Sequence, residues 1–431
     1  MKLLIKNARV IDAKSNLDDQ LDVLIENSKI VKIAKNIKDK DAQIIDAKDK
    51  VLMPGFVDMH VHLREPGYEY KETIKSGTMA AAAGGFTTVC CMPNTNPVID
   101  NQGVVEFVIS EARKSALINV YPIGAITKGL KGEELSEIAD MQNAGIIAIS
   151  DDGKGVMNAD LMRRALEYAS MLNIPVIAHS EDNDLALGGV MNEGYVATKL
   201  GLKGIPTLAE STIIARDIEI ARYTDTGLHI AHISAKESVA LVKRAKKDGL
   251  KITCEATPHH FSLTDEAVLG YDTNTKVNPP LRSDVDVQAI KQGLKNGTID
   301  CIATDHAPHA ESEKDVEYDH APFGIIGLET ALSLAISELV EPGILTLNQL
   351  CEKMAYNPAK ILGLDKGYIA EGSIADLVIF DPLKESIISA ADFKSKSKNT
   401  PFIGQKVKGA VCLTICNGNV VYNNNVSESA C

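Results

Sequence analysis

The chain has 431 residues, enough for one large domain with an appendage or for two domains. Its formal net charge of −13 argues against a nucleic-acid partner and against an anionic membrane surface. The first apolar run is too short for a signal peptide and no stretch approaches a membrane span. The eight cysteines are scattered, so we expect a cytoplasmic protein with reduced thiols and no membrane partner.

The two ends of the chain have the same pattern of short alternating strands separated by polar turns. It occurs at 3–10 and 22–25, and returns at 375–381 and 411–416. We expect residues 1–53 and 366–431 to pair into one small β-sandwich domain. Its expected role is support and packing between subunits. Residues 54–365 would then form a separate domain.

Within 54–365, apolar runs typical of buried strands alternate with amphipathic helices. Asn158 is expected to cap one helix, and Ser234–Glu237 to form the capping box of another. Eight such units predict an α/β fold, a (β/α)8 TIM barrel, with catalytic residues at the C-terminal strand ends. A doubly wound open sheet is the alternative, but it would not bring five strand ends around one centre. The candidate strands start near Phe56, Thr87, Val120, Ile146, Val176, Leu228, Ile252 and Cys301.

Side chains that can bind a metal follow five of these strands. His60 and His62 lie two residues apart after the first strand, so an extended backbone directs both imidazoles to one point. Imidazole and carboxylate are ligands that zinc favours. Two ions could share a hydroxide, which would be the nucleophile. The predicted ligand groups are His60, His62 and Asp305 for one ion, His179 and His232 for a second, and a bridging carboxylate between them.

Five segments together resemble the cyclic amidohydrolases, and most closely the type I dihydroorotases, over nearly the full length. They are Pro54-Gly-Phe-Val-Asp-Met-His-Val-His-Leu-Arg-Glu-Pro-Gly67, Met92-Pro-Asn-Thr-Asn-Pro97, Asn278-Pro-Pro-Leu-Arg282, Ala303-Thr-Asp-His-Ala-Pro-His309 and Glu371-Gly-Ser-Ile-Ala-Asp-Leu-Val. The resemblance implies reversible hydrolysis of (S)-dihydroorotate to N-carbamoyl-L-aspartate in de novo pyrimidine biosynthesis. A metal-bound hydroxide would attack the ring amide. Zn²⁺ is the implied cofactor, with one or two ions per subunit and two favoured.

The resemblance also implies roles for residues in and around the metal site. Asp305 would move a proton from the hydroxide to the leaving nitrogen. Asp152 would bridge the ions, with Asp151 as the alternative because neighbouring strand residues face opposite ways. A carboxylated Lys154 is a further alternative, since many relatives bridge with such a lysine.

Substrate recognition is implied by a second group of residues. Dihydroorotate has a carboxylate, which a guanidinium binds in bidentate geometry. The residues expected to hold that carboxylate are Arg64, Asn94 and His309, and those expected to contact the ring are Asn278 and the backbone near Phe323 and Gly324. The charged segment 310–324 is predicted to be a lid that orders with ligand.

Two other functions remain open from the sequence. A sister enzyme, allantoinase or dihydropyrimidinase, would share much of the metal site, but Arg64 and Asp152 favour a dihydroorotase. A non-catalytic scaffold for aspartate transcarbamoylase would have lost metal ligands, which this chain keeps. A homodimer is the family expectation, and an active enzyme could also bind aspartate transcarbamoylase.

Overall fold

The computed structural model describes residues 2–424 and 428–429. The strands are β1 (Lys2–Asp12), β2 (Leu17–Glu26), β3 (Lys29–Ala34), β4 (Gln43–Asp46), β5 (Val51–Pro54), β6 (Phe56–Val61), β7 (Phe86–Cys91), β8 (Asn119–Pro122), β9 (Ile149–Ser150), β10 (Val176–Ala178), β11 (Met191–Asn192), β12 (Gly204–Ile205), β13 (Leu228–Ile230), β14 (Ile252–Ala256), β15 (Cys301–Ile302), β16 (Leu377–Ile387), β17 (Lys406–Cys416), β18 (Asn419–Asn423) and β19 (Glu428–Ser429). The α-helices are α1 (Ile74–Ala83), α2 (Gln102–Ser115), α3 (Ile138–Ala144), α4 (Ala159–Met171), α5 (Asn183–Ala186), α6 (Tyr195–Leu200), α7 (Thr207–Thr224), α8 (Lys236–Lys247), α9 (Pro258–Ser262), α10 (Asp284–Asn296), α11 (Glu311–Lys314), α12 (Ala331–Ala335), α13 (Leu347–Cys351) and α14 (Asn357–Ile361). Within the described part of the chain, none of these helices is long and apolar enough to cross a bilayer.

Residues 54–365 contain a closed barrel of parallel strands. One run pairs β6, β7 and β8, and a second pairs β9, β10, β13, β14 and β15. Two parallel bridges join the runs into a ring. In one, His62 N donates to His306 O at 2.8 Å, and in the other, Ser150 N donates to Gly124 O at 2.9 Å. The (β/α)8 barrel is therefore confirmed, and the open-sheet alternative is wrong.

The strands of both chain ends form one antiparallel-rich sheet. In the described residues its order is β18-β17-β16-β5-β1-β2-β3, with β4 and β19 paired off this path. β5 lies beside β16, so the two ends of the chain meet there. The sheet curls around an apolar core, because Ile30 N donates to Ser373 O at 3.0 Å and Ala375 N to Ser28 O at 2.8 Å. This is the small β-sandwich expected from the sequence. Its boundaries at residues 53 and 366 stay a prediction.

The starts of the barrel strands lie close to those predicted. Five agree, and Thr87 and Val120 lie one residue inside their strands. The fourth start, Ile146, is three residues too early. Gly145 has φ +120° at the end of α3, and both its N–H and that of Ile146 donate to Met141 O. Ile146, predicted to begin the strand, is therefore hydrogen-bonded to the C-terminal end of the helix, and the strand begins only at Ile149.

The helix signals give one confirmation and one correction. Asn158 caps α4, accepting from Asp160 N at 3.0 Å, as predicted. The capping box at Ser234 is wrong, because α8 begins at Lys236 and the Ser234 side chain does not cap it. The Ser234 hydroxyl instead bonds the buried Glu210, and Lys236 N is capped by the Asp286 carboxylate at 3.0 Å. The helix is therefore capped by a residue distant in sequence, Asp286, instead of by Ser234.

Candidate active site

Six side chains predicted to bind metal converge at the C-terminal mouth of the barrel. His60 lies near the end of β6, and the other five follow the C-terminal ends of β6, β9, β10, β13 and β15, where a parallel barrel places its catalytic residues. All are buried, with at most 6% of any one exposed. They are His60, His62, Asp152, His179, His232 and Asp305. The structure therefore brings the whole predicted ligand set together.

One carboxylate oxygen lies between two groups of imidazoles. Asp152 Oδ1 is 3.1 Å from His60 Nε2, and 3.6 Å from both His179 Nδ1 and His232 Nε2. The latter two nitrogens are 2.9 Å apart. On the other side, Asp305 Oδ1 is 3.0 Å from His62 Nε2 and 3.5 Å from His60 Nε2. Asp152 Oδ1 is thus close to nitrogens of both predicted ligand sets, which is the position that the predicted bridge requires.

The spacing of these atoms fits a metal ion. Ligand atoms bonded to tetrahedral zinc at 2.0–2.1 Å are spaced by about 3.3 Å, close to the separations of 2.9–3.6 Å here. The buried His60 Nε2, which faces the cluster, has no hydrogen-bond partner, although buried polar atoms usually have one. In each of two sets of three side chains, the possible ligand atoms all lie within 4.8 Å of one another; these sets are His60-His62-Asp305 and His60-Asp152-His232. We conclude that the cluster is a metal-binding site.

The two neighbouring aspartates after β9 have different surroundings. Asp151 accepts from Ile126 N at 2.8 Å and from Thr127 N at 3.0 Å, and its second oxygen bonds the Thr127 hydroxyl. Both carboxylate oxygens of Asp151 are therefore hydrogen-bonded to the preceding loop, whereas Asp152 faces the histidines. Lys154 lies in the following turn, its N–H donating to Asp151 O.

The carboxylates give the cluster a potential that favours a cation. Burial alone would lower the pKa of the His60 imidazole, but Asp152 and Asp305 raise that pKa well above its usual value. The same competition raises the pKa of His179 to about 10, with Asp152 and Glu181 overcoming burial. The same negative charges, on Asp152, Asp305 and Glu181, would stabilise a bound cation.

Sequence reasoning missed a buried carboxylate behind the ligands, Glu255 on β14. Its Oε1 accepts from His60 Nδ1 at 2.8 Å and its Oε2 from His229 Nε2 at 3.1 Å. Burial alone would raise the pKa of Glu255, but the two imidazoles lower it to about 2. A charged acceptor keeps the proton of His60 on Nδ1 and directs the lone pair of Nε2 into the cluster. The available signal was an acidic residue inside an otherwise apolar strand.

A cavity of about 180 Å³ opens directly beside the cluster. Five of the six predicted ligand groups, all except His60, line it together with all six residues predicted for substrate binding. Those six are Arg64, Asn94, Asn278, His309, Phe323 and Gly324. The structure therefore places the predicted metal and substrate residues around one space.

Arg64 reaches this cavity by a route that strand alternation does not describe. β6 ends at Val61, and Arg64 has φ +62°. Its Nε donates to Pro308 O at 3.1 Å. That bond holds the guanidinium at the cavity wall.

His309 lies beside Arg64 among positive charges. Its Nε2 is 2.8 Å from Phe323 O, which can only accept, so Nε2 carries the proton. Nδ1 then accepts from Lys71 Nζ at 3.3 Å. Burial and the charges of Arg64, Lys71 and Lys314 lower the pKa of His309 to about 2, which keeps the ring neutral. Lys71 is a second residue that the sequence did not reveal.

Two amides complete the cavity wall. Asn94 Oδ1 accepts from His62 Nδ1 at 2.9 Å, and its Nδ2 lies 3.3 Å from Asp152 Oδ2, so it also orients ligands. Asn278 donates to Glu181 at 3.1 Å, while its buried Oδ1 has no partner. An orphaned acceptor at a cavity wall is suited to a ring N–H of a ligand.

The segment 310–324, predicted to be a lid, is held by two buried lysines. Lys276 Nζ donates to Tyr318 O and Asp319 O, both at 3.0 Å. Lys314 Nζ donates to Thr273 O at 3.1 Å and to Pro322 O at 2.7 Å. The segment closes one side of the cavity in this state. That part of it orders only with ligand stays a prediction.

The chain is similar in sequence to named relatives over almost its whole length. A family model described as dihydro-orotase-like matches residues 49–238. A dihydroorotase of Acetivibrio thermocellus is 55% identical, with 98% of this chain and 100% of the relative covered. Dihydroorotases of Geobacter metallireducens, at 54%, and Pelotomaculum thermopropionicum, at 55%, match 98% and 99% of this chain and all of their own.

Solved structures agree on the fold. The L-hydantoinase (dihydropyrimidinase) of Arthrobacter aurescens has a TM-score of 0.88 at 27% identity, over 98% of this chain and 96% of its own. The dihydropyrimidinase of Brevibacillus agri has a TM-score of 0.88 at 26% identity, over 100% and 97%. The barrel, the metal cluster and the full-length similarity agree: the chain belongs to the dihydroorotase family of cyclic amidohydrolases.

Proposed function

We propose that the protein catalyses the reversible hydrolysis of (S)-dihydroorotate to N-carbamoyl-L-aspartate, the dihydroorotase step of pyrimidine biosynthesis. The observation that supports this most is that Arg64 lines the same cavity as the predicted metal ligands. A cyclic amide with a carboxylate needs both features, one at the reacting carbonyl and one at the anion. An uncharged dihydropyrimidine ring needs only the first.

We propose zinc as the metal, with two ions per subunit. His60, His62 and Asp305 would hold one ion, His179 and His232 the other, and Asp152 would bridge them. When bound, zinc lowers the pKa of a coordinated water towards neutrality and polarises a carbonyl oxygen. Imidazole and carboxylate donors suit zinc, and manganese or cobalt could use the same set.

Asp305 is the proposed proton carrier. It is a buried carboxylate at the cavity wall, held by His62 Nε2 at 3.0 Å. Burial alone would raise its pKa, but His60 and His62 hold the pKa below its ordinary value, so the group begins the reaction ionised. It accepts the proton of the attacking water and donates it to the ring nitrogen as the amide bond breaks.

The cavity residues outside the metal cluster bind and orient the substrate. Arg64 pairs with the carboxylate in a charge-assisted, bidentate contact, aided by Asn94 and by neutral His309. Asn278 Oδ1 accepts a ring N–H, since it has no partner within the protein. The backbone at Phe323 and Gly324 covers the ring. These contacts place the amide carbon at the metal cluster, and such positioning removes much of the entropic barrier.

Turnover tests the proposal directly. Zinc-loaded protein is incubated with dihydroorotate, and in parallel with dihydrouracil and allantoin. Hydrolysis of dihydroorotate alone, abolished by a chelator and restored by zinc, is expected. Hydrolysis of an uncharged ring alone would assign the protein to a sister amidohydrolase activity. Metal bound without any turnover would contradict the enzymatic proposal. A homodimer, association with aspartate transcarbamoylase and a cytoplasmic location stay predictions from the sequence.

A further inference from the structure

Residues 393–400, which connect β16 to β17, pack against the active-site loops. We refer to it as the C-terminal arm. Ser397 Oγ donates to Lys71 O at 2.7 Å, and Lys396 Nζ donates to Glu69 O at 2.7 Å. The arm therefore contacts the loop that presents Arg64 and Lys71. From the sequence, the expected role of this part of the chain was support and packing between subunits.

The arm has one side-chain amide, that of Asn399, which is buried with 4% of its surface exposed. Its Nδ2 donates to Ala307 O and to Gly324 O, both at 3.0 Å, and its Oδ1 accepts from His309 N, also at 3.0 Å. Both amide hydrogens and the oxygen are thus used. A buried polar group with every bond satisfied fixes one arrangement of its partners, because any other arrangement leaves groups unpaired.

The three partners of Asn399 all belong to the cavity wall. Ala307 and His309 follow β15, and Gly324 ends the segment 310–324. These two stretches approach each other closely. Gly324 has φ +144°, and a Cβ there would lie 2.8 Å from Ala307 O and 2.9 Å from His309 Cδ2. Asn399 joins them from outside the barrel, and none of its side-chain bonds goes to a predicted metal ligand.

We propose that Asn399 is a positioning residue for substrate binding. It fixes His309 and the Phe323–Gly324 backbone at the anionic end of the cavity, and so sets the affinity for dihydroorotate without contacting it. This inference depends on the proposed function, because the anionic end is defined by the substrate carboxylate. The metal cluster, which Asn399 does not contact, keeps its geometry when Asn399 is changed.

Two variants test this role. Asn399→Ala removes all three bonds, and Asn399→Asp keeps the acceptor for His309 N but loses both donors. The loss of a buried hydrogen-bonding group costs enough to raise the KM for dihydroorotate about tenfold or more for Asn399→Ala. The kcat should stay within about threefold and zinc content should equal wild type, because the reacting groups are not moved. Asn419→Ala, at an exposed asparagine of the same unit, is the matched control and should leave KM unchanged.

A double-mutant cycle separates positioning from general destabilisation. If Asn399 acts through His309, then Asn399→Ala in a His309→Ala background should raise KM by less than about twofold. Full additivity of the two KM effects would overturn the inference, as would a wild-type KM in both Asn399 variants. Should Asn399→Ala not fold, the same comparison is made with Asn399→Asp. A wild-type protein that does not hydrolyse dihydroorotate would refute the proposed function instead, so the two failures are distinguishable.

Discussion

Glu255→Gln tests whether the buried carboxylate behind His60 controls metal affinity. Glu255 is fully buried and lies 2.8 Å from His60 Nδ1 and 3.1 Å from His229 Nε2. Glutamine preserves the volume and can still accept from His60. His229 can meet the new NH₂ group by changing tautomer, because its Nδ1 lies 2.8 Å from the Thr253 hydroxyl. The substitution therefore removes a negative charge while leaving most hydrogen bonds in place.

The expected loss follows from that charge. A carboxylate partner makes a ligating imidazole more basic, and losing it typically weakens metal binding about ten- to a hundredfold, or about 1.4–2.7 kcal/mol. Zinc affinity would be measured by competition with a chelator of known affinity. Turnover at saturating zinc should remain within a few fold of wild type, because Glu255 lies behind His60 and away from the cavity.

Asp217→Asn is the matched control for this experiment. Asp217 is also a buried carboxylate, but it pairs with Arg216 on α7, away from the cluster. Its variant should bind zinc as the wild type does. If Glu255→Gln and Asp217→Asn bind zinc equally well, the orienting role of Glu255 is refuted. If Glu255→Gln instead loses turnover at full zinc occupancy, then Glu255 acts on the chemistry rather than on the metal.

Three further predictions separate the roles of neighbouring side chains. Arg64→Met should raise the KM for dihydroorotate about ten- to a hundredfold, the value of a charge-assisted bond, with zinc content unchanged. Arg163→Met, at an arginine in surface ion pairs, should have no effect, and equal KM values in the two variants would contradict the clamp. Asp152→Asn should lower the zinc content, whereas Asp151→Asn should keep the zinc content and reduce thermal stability. Metal analysis and melting curves measure the two effects, and loss of zinc from Asp151→Asn alone would identify Asp151 as the bridge. Asp305→Asn should abolish hydrolysis, and restored activity at high pH with excess zinc would argue against the proton-carrier role.

The metal half of the site was accessible from the sequence because local order encodes it. Each ligand follows an apolar run, and parallel strands in a barrel bring such ends to one face. His60 and His62 needed only the alternation of an extended backbone. The choice between Asp151 and Asp152 was harder, because strand alternation gives opposite faces without saying which is inward. In the structure Asp151 bonds Ile126 N and Thr127 N, whereas Asp152 lies next to the histidines, which favours Asp152 as the bridge.

Other features were not accessible because distant partners determine them. Ser234 has the sequence of a helix cap, yet its hydroxyl bonds Glu210, and Asp286 takes over the cap from 50 residues away. Glu255 looked like a strand residue until the barrel placed it beside His60, 195 residues earlier in the chain. In both examples the bond is made to a buried carboxylate that is distant in sequence, and a carboxylate is a stronger hydrogen-bond acceptor than a neutral group nearby in the chain. Local patterns predict where an element lies better than they predict which bonds its polar side chains make.

The substrate half of the site shows the consequence for function. Arg64, His309 and Gly324 lie in loops whose conformation no periodicity specifies, and their relative positions depend on contacts such as that of Asn399 with Ala307, 92 residues apart. The metal cluster is held at the ends of barrel strands, and the fold that supplies those strands is shared with hydantoinases. The carboxylate end is held by loops and by the C-terminal arm. A change of substrate could therefore arise from the arm and loops while the metal cluster stays the same, because the two halves are supported by different parts of the chain.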